Sequence, residues 1–124
     1  MWNPDVLHDI LKEDDLHIAP YKQDGCSTGT PTWIWCVEVA GELYVRAYHG
    51  KRSRWYQAAL AQQIGRIFAI GKCFEVRYEA IDDDMTLAAV DHAYSNRYST
   101  SSYLDAMINA RARATTLKVI LRGQ

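Results

Sequence analysis

The sequence lacks the local signatures of metal and hydrolytic chemistry. Its three cysteines, Cys26, Cys36 and Cys73, form no CxxC element and cannot all pair, which argues against a disulfide framework or a zinc site. The four histidines, His8, His17, His49 and His92, include no HxH or HxxxH pair, so no shared metal is expected. The one GxSxG match, Gly25-Cys26-Ser27-Thr28-Gly29, lies in a loop of turn formers and not between a strand and a helix, and no cysteine has an activating neighbour, which leaves hydrolase classes with little support. No apolar run has the length of a bilayer-spanning helix, and the opening residues lack the basic, apolar and small-residue order of a signal peptide. A cytoplasmic, reducing compartment is therefore the expectation. A formal net charge of −1 is too low for general nucleic-acid binding, which neutralises many phosphates. Neither nucleic acid nor membrane is an expected partner.

What is present suits one globular domain over residues 1–124: 48% hydrophobic residues beside 23% charged ones, with no repeat, linker or low-complexity segment. Asn3-Pro4-Asp5 reads as a cap, a first-turn proline and a first-turn acid, followed by Val6, Leu7, Ile10 and Leu11 at helical spacing. Alternation at residues 16–19 predicts a first strand, and the turn formers of residues 23–31 a loop. Two aromatic and β-branched runs, residues 33–39 and 43–48, flank Ala40-Gly41-Glu42 and predict a hairpin. A helix is expected over residues 53–64, with Ser53 as its N-cap and Gly65 as its C-cap. Strands follow at 66–70 and 73–80, then helices after Asp82-Asp83-Asp84 and over 103–110, and a last strand over 115–121. This order predicts an α+β class: a small antiparallel barrel of six strands with peripheral helices.

The function-bearing stretch is residues 46–56. Arg46, Lys51, Arg52 and Arg54 interleave with Tyr48, His49, Trp55 and Tyr56 and bracket Gly50 just before a predicted helix. Phosphate recognition uses this combination: guanidinium forks, free amides at a helix start, a glycine permitting close approach and an aromatic for a ring. A solvated cationic loop has the same composition. His49 is a candidate proton or hydrogen-bond donor, or a plain loop histidine. Trp33 and Trp35, two apart on one predicted strand, are expected on one face, as core wall or as the floor of a ring pocket. The triple aspartate reads as a helix cap rather than a metal site, having no spaced glycine and glutamate to complete a calcium loop.

Thr32-Trp33-Ile34-Trp35-Cys36-Val37-Glu38-Val39, Glu42-Leu43-Tyr44-Val45-Arg46, Gly50, Arg54-Trp55-Tyr56, Gly65-Arg66-Ile67 and Ala112-Arg113-Ala114-Thr115-Thr116-Leu117 together resemble family 2255 among the bacterial domains of unknown function. The YVR and ARATTL elements are the most specific parts. More remotely, the order of elements is similar to the deazaflavin-dependent nitroreductase group, among the flavin-binding split barrels related to pyridoxamine phosphate oxidase. That resemblance implies a six-stranded split β-barrel, a homodimer, and a small-molecule ligand, FMN or a deazaflavin, held by its phosphate near the turn after the hairpin. It carries over to Tyr48, His49, Gly50, Lys51 and Trp55. With Arg46, Arg52 and Arg54 for phosphate and Trp33 beside the ring, these are the expected cofactor residues of a small reductase, with no metal. One departure stands out: Gly29-Thr30-Pro31-Thr32 carries no cation where the reductases commonly have one. The alternative is a non-catalytic module that binds another small anion or serves only in dimerisation.

Overall fold

Asn3 starts the first helix as the sequence predicts. Its side-chain oxygen accepts hydrogen bonds from the Asp5 and Val6 amides, and α1 (Pro4–Glu13) buries Leu7 and Ile10. The structure, a computed structural model, describes residues 2–122. The strands are β1 (His17–Pro20), β2 (Thr32–Trp33), β3 (Cys36–Val39), β4 (Glu42–Val45), β5 (Ile64–Ala69), β6 (Lys72–Ala80) and β7 (Leu117–Leu121). The remaining helices are α2 (Arg54–Gln62), α3 (Asp84–Arg97), α4 (Leu104–Ile108) and α5 (Ala110–Arg113).

The seven strands of the described residues form one antiparallel sheet in the order β2-β1-β5-β6-β7-β4-β3. Its two edge strands, β2 and β3, are joined by Ile34 and Trp35 alone. Three Cα–Cα steps reach at most ~11 Å, whereas seven strands laid flat would span roughly 29 Å. The sheet must therefore curl until its edges meet. The Ile34 amide donates to the Leu16 carbonyl at 3.1 Å, continuing the β1–β2 pairing up to the point where the chain crosses to β3. The result is a curled half-barrel close to a split barrel.

The sequence expectation of six strands is corrected to seven because the run 33–39 is not one strand. Ile34 and Trp35 carry the chain from one edge to the other, so Trp33 and Trp35 do not share a strand face. Gly65 is likewise no C-cap. The helix stops at Gln63, which takes the left-handed conformation at φ 65°, and Gly65 lies within β5 opposite Pro20. The expected helix over 103–110 divides at Asn109, whose side chain accepts from the Ala112 amide at 3.0 Å and so starts α5. Asp83 caps α3 through the Thr86 amide, which accounts for the aspartate run as a helix start.

Alternation along the strands gives the sheet two apolar faces. Leu43, Val45, Leu117, Val119, Ile67 and Val76 point into the barrel with Ile10, Leu16 and Ile18. Val37 and Tyr44, paired across the hairpin, point outward onto Val90 and Tyr94 of α3 and Met107 of α4. Trp2 is buried as well, its indole nitrogen donating to the Val119 carbonyl at 2.8 Å. Among the described residues no helix is long and apolar enough to cross a membrane.

Candidate functional site

The strand parity that sends Tyr44 toward α3 sends Arg46 there too. Arg46 is fully buried, with 0% exposure. Its Nε donates to Thr116 Oγ1 at 2.9 Å, Nη1 to Asp91 Oδ1 at 2.5 Å and to the Met107 carbonyl at 3.1 Å, and Nη2 to the Leu87 carbonyl at 3.2 Å. Four of the five guanidinium N–H groups are thus committed inside the protein, and the group also lies 5.5 Å over the Tyr94 ring. Burial pushes the Tyr94 phenol well above its ordinary pKa, so it stays neutral beside the cation. The expectation that Arg46 offers phosphate contacts is therefore corrected: four of its five donors are used in tying β4 to α3, α4 and the start of β7.

The ARATTL segment supplies the other half of that knot. Thr115 Oγ1 accepts from the Ala47 amide at 2.8 Å and donates to the Ala112 carbonyl at 2.6 Å. Thr116 Oγ1, which receives Arg46, donates to the Arg113 carbonyl at 2.8 Å. The second oxygen of Asp91 accepts from Arg113 Nε at 3.1 Å. The YVR and ARATTL elements, far apart in sequence, are one buried hydrogen-bond network. Asp91 gives no local signal in the sequence, where a lone aspartate on a helix looks like any solvated acid, and Thr115 and Thr116 enter there only through the ARATTL resemblance.

After Ala47 the chain turns back through Gly50, whose amide donates to the Ala47 carbonyl at 2.9 Å, and a 3₁₀ turn over Gly50–Arg52 leads to Ser53 and α2. Gly50 has a φ of +70°, and a Cβ there would sit 2.4 Å from Arg111 Cγ. Only glycine lets this turn rest on α5. Ser53 occupies the N-cap position of α2 but makes no side-chain cap bond, leaving the first amides of that helix without a side-chain acceptor.

Beside this turn lies a cleft of about 800 Å³, within the size range of small-molecule sites. Trp33, Tyr48, His49, Arg54 and Trp55 line it, as does Trp35 from the seam between β2 and β3. Tyr103 and Met107 of the α4 region close the opposite side, and Tyr48 and Tyr103 meet edge to face with centroids 6.1 Å apart. Trp35 is held flat by Tyr98, nearly parallel at 3.9 Å. Arg46 borders the cleft from its buried place beneath α3, with four of its five N–H groups already engaged. Lys51 and Arg52 are exposed and do not line the cleft, and Gly50 is buried beneath the turn. Among the described lining residues there is no aspartate or glutamate, whereas Arg46 and Arg54 are cationic and His49 adds an imidazole. An aromatic slot with a positive end can hold a flat ring bearing an anionic group. Tyr103 and Met107 were not expected here; their place depends on the long-range packing of α4.

The cysteines take no part. Cys36 is buried in the barrel, where desolvation pushes its thiol up to about 12, and Cys26 and Cys73 are exposed away from the cleft lining. Among the described residues no group of three metal-ligating side chains converges.

The profile of DUF2255, described as an uncharacterized protein conserved in bacteria, matches residues 6–119. The chain belongs to this family. No curated protein matches its sequence. Among solved structures, the DUF2255 chain is similar to a conserved hypothetical protein of Mycobacterium tuberculosis, with a TM-score of 0.68 at 15% identity, covering 98% of this chain and 81% of that one. It is also similar to a putative pyridoxamine 5'-phosphate oxidase from Listeria innocua, with a TM-score of 0.63 at 9% identity over 97% and 93% of the two chains. A FAD-binding protein from Mesorhizobium loti aligns with a TM-score of 0.52 at 19% identity over 99% and 91%. At such identities the likeness establishes the fold that the DUF2255 chain shares with these proteins.

Proposed function

We propose that this DUF2255 protein binds a flavin-type cofactor, FMN or a deazaflavin, in the aromatic cleft and acts as a small reductase. The observation that carries this reading is the cleft itself, walled by Trp33, Trp35, Trp55, Tyr48 and Tyr103 and lined without a carboxylate. The donor set fits such a group: indoles and phenols for the ring, and Arg54 with the uncapped start of α2 for the phosphate. A bound flavin supplies the electron or hydride chemistry. The chain's own residues stack on the ring, neutralise the phosphate and keep water from the ring faces. His49 is the candidate donor of a proton or hydrogen bond. Fold likeness to a FAD-binding protein supports the reading by analogy.

Visible absorption of the purified protein, followed by titration with FMN and with deazaflavin, tests it. Arg54→Ala is expected to weaken FMN binding by about 1.5–3 kcal/mol, the scale of a hydrogen bond to a charged group, with unfolding midpoints unchanged because Arg54 is exposed. Failure of FMN, deazaflavin and simple phosphate compounds to bind at millimolar concentration ends the cofactor reading. The alternative, a non-catalytic module for another small anion or for dimerisation alone, draws support from Thr32, which brings a hydroxyl to the cleft where the resembling reductases commonly carry a cation nearby.

We also propose a homodimer in which a second copy covers the rim of the cleft. Trp33 and Tyr103 are 50% and 58% exposed, large apolar area for a lone subunit to leave in water. Sedimentation at high micromolar concentration should give twice the chain mass, and a purely monomeric boundary would refute the dimer.

A further inference from the structure

We infer that Asp91 is a positioning residue for the cleft, acting through Arg46 to hold α4, and with it Tyr103 and Met107, in the cleft wall. The inference deepens the ring-binding reading of the cleft and rests on it for its ligand arm. α4 has five residues, Leu104–Ile108, too few to be helical by itself. Its N-cap residue, Tyr103, makes no side-chain cap bond, and the segment ends at Asn109. Something outside the helix must set its place. The polar contact that does so is the Met107 carbonyl, which accepts from Arg46 Nη1 at 3.1 Å. The same nitrogen donates its other hydrogen to Asp91 Oδ1 at 2.5 Å. A guanidinium is planar and rigid, so fixing one Nη1 hydrogen on Asp91 fixes the direction of the other. Asp91 thereby aims Arg46 at α4.

The second oxygen of Asp91 reaches Arg113, on the helix that follows α4 directly. One carboxylate on α3 therefore restrains the short helix from beneath, through Arg46, and from its far side, through α5. The carboxylate touches no cleft surface itself, since Asp91 is not among the lining residues. The two residues it governs are: Met107 in the wall, and Tyr103 in contact with Tyr48 across the cleft.

Asp91→Asn keeps the size and one acceptor but removes the charge that orients the guanidinium. Hydrogen exchange of the ligand-free protein should show the amides of residues 104–109 exchanging about tenfold faster, the scale of one coupled contact in a shared network, while those of β5 and β6 keep their wild-type rates. Titration with FMN and with riboflavin should show both affinities falling by one common factor, because the wall beside the ring moves. Arg54→Ala, by contrast, should penalise FMN alone. If Asp91→Asn does not fold, the isosteric Thr116→Val removes a single acceptor of Arg46 and should give the same local pattern at about threefold. Unchanged exchange in α4, an equal rise throughout the sheet, or loosened α4 with unaltered flavin affinities would each overturn the inference. Loosened α4 in a protein whose wild type binds neither flavin would keep Asp91 as the positioning residue of α4 and instead sink the flavin reading.

Discussion

Arg46→Ala should lower the unfolding free energy by about 3–5 kcal/mol, the cost of removing one partner from a buried charge pair. The loss is large because four acceptors are abandoned together: Thr116 Oγ1, Asp91 and the carbonyls of Leu87 and Met107. Asp91 would keep Arg113 on its other oxygen, which spares it complete isolation. Since small domains have about 5–15 kcal/mol in total, the variant should populate unfolded chains at modest urea concentrations. Urea unfolding followed by tryptophan fluorescence measures this directly, and a loss under 1 kcal/mol would show that the network contributes little. The double change Arg46→Met with Asp91→Leu should recover part of the deficit, because exchanging a buried ion pair for packed apolar groups removes the desolvation cost. That recovery would separate the stability of the barrel from the pairing that places α4.

Gly65→Ala should cost about 2–3 kcal/mol, the upper part of the range for forcing volume into a packed site. A Cβ at that position would lie 2.6 Å from Pro20 Cα, 2.8 Å from the Ala19 carbonyl and 2.8 Å from Tyr78 Oη. Two of those neighbours are backbone of β1, so the methyl can be admitted only by parting β1 from β5. The third is a phenol pinned to the Arg66 carbonyl at 2.8 Å. Gly41 provides the contrast. With φ at +81° and nothing within 4 Å, its alanine variant meets backbone strain alone and should lose about 1 kcal/mol. Calorimetric melting of the two variants side by side checks the order, and an equal loss at both positions would contradict the close-packing account.

The parts of the fold legible in the sequence are those governed by local chemistry. Asn3-Pro4-Asp5 announces α1 because cap, proline and acid each act within one turn. Leu117 and Val119 against Lys118 and Ile120 announce β7 because strand parity needs only nearest neighbours. The basic segment was legible as a place, since Tyr48, His49, Arg54 and Trp55 do gather at the cleft with Trp33. What could not be seen was which cation faces outward. Arg46 and Arg54 are chemically identical in the sequence, yet one follows a strand whose outer face is covered by α3 and the other opens an exposed helix turn. Coverage of that face depends on a helix some forty residues further along. The split of residues 33–39 was hidden for a related reason. Thr32 to Val39 has the composition of one strand, and only closure of the whole sheet makes Ile34 and Trp35 a crossing.

The place of β7 in the sheet bears on how the protein comes into being. Leu117–Leu121 is the last of the seven strands to be synthesised, yet it lies between β6 and β4 as the keystone of the barrel. Until it leaves the ribosome, the nascent chain holds two separate ribbons, one built on the β5–β6 hairpin and one on β3–β4, each presenting an unpaired inner edge. Such edges are templates for pairing with the wrong chain, and contacts spanning most of the sequence form slowly. Translation must therefore run nearly to the end of this domain before the barrel can close, and chaperone binding to those two edges is the protection the growing chain would need.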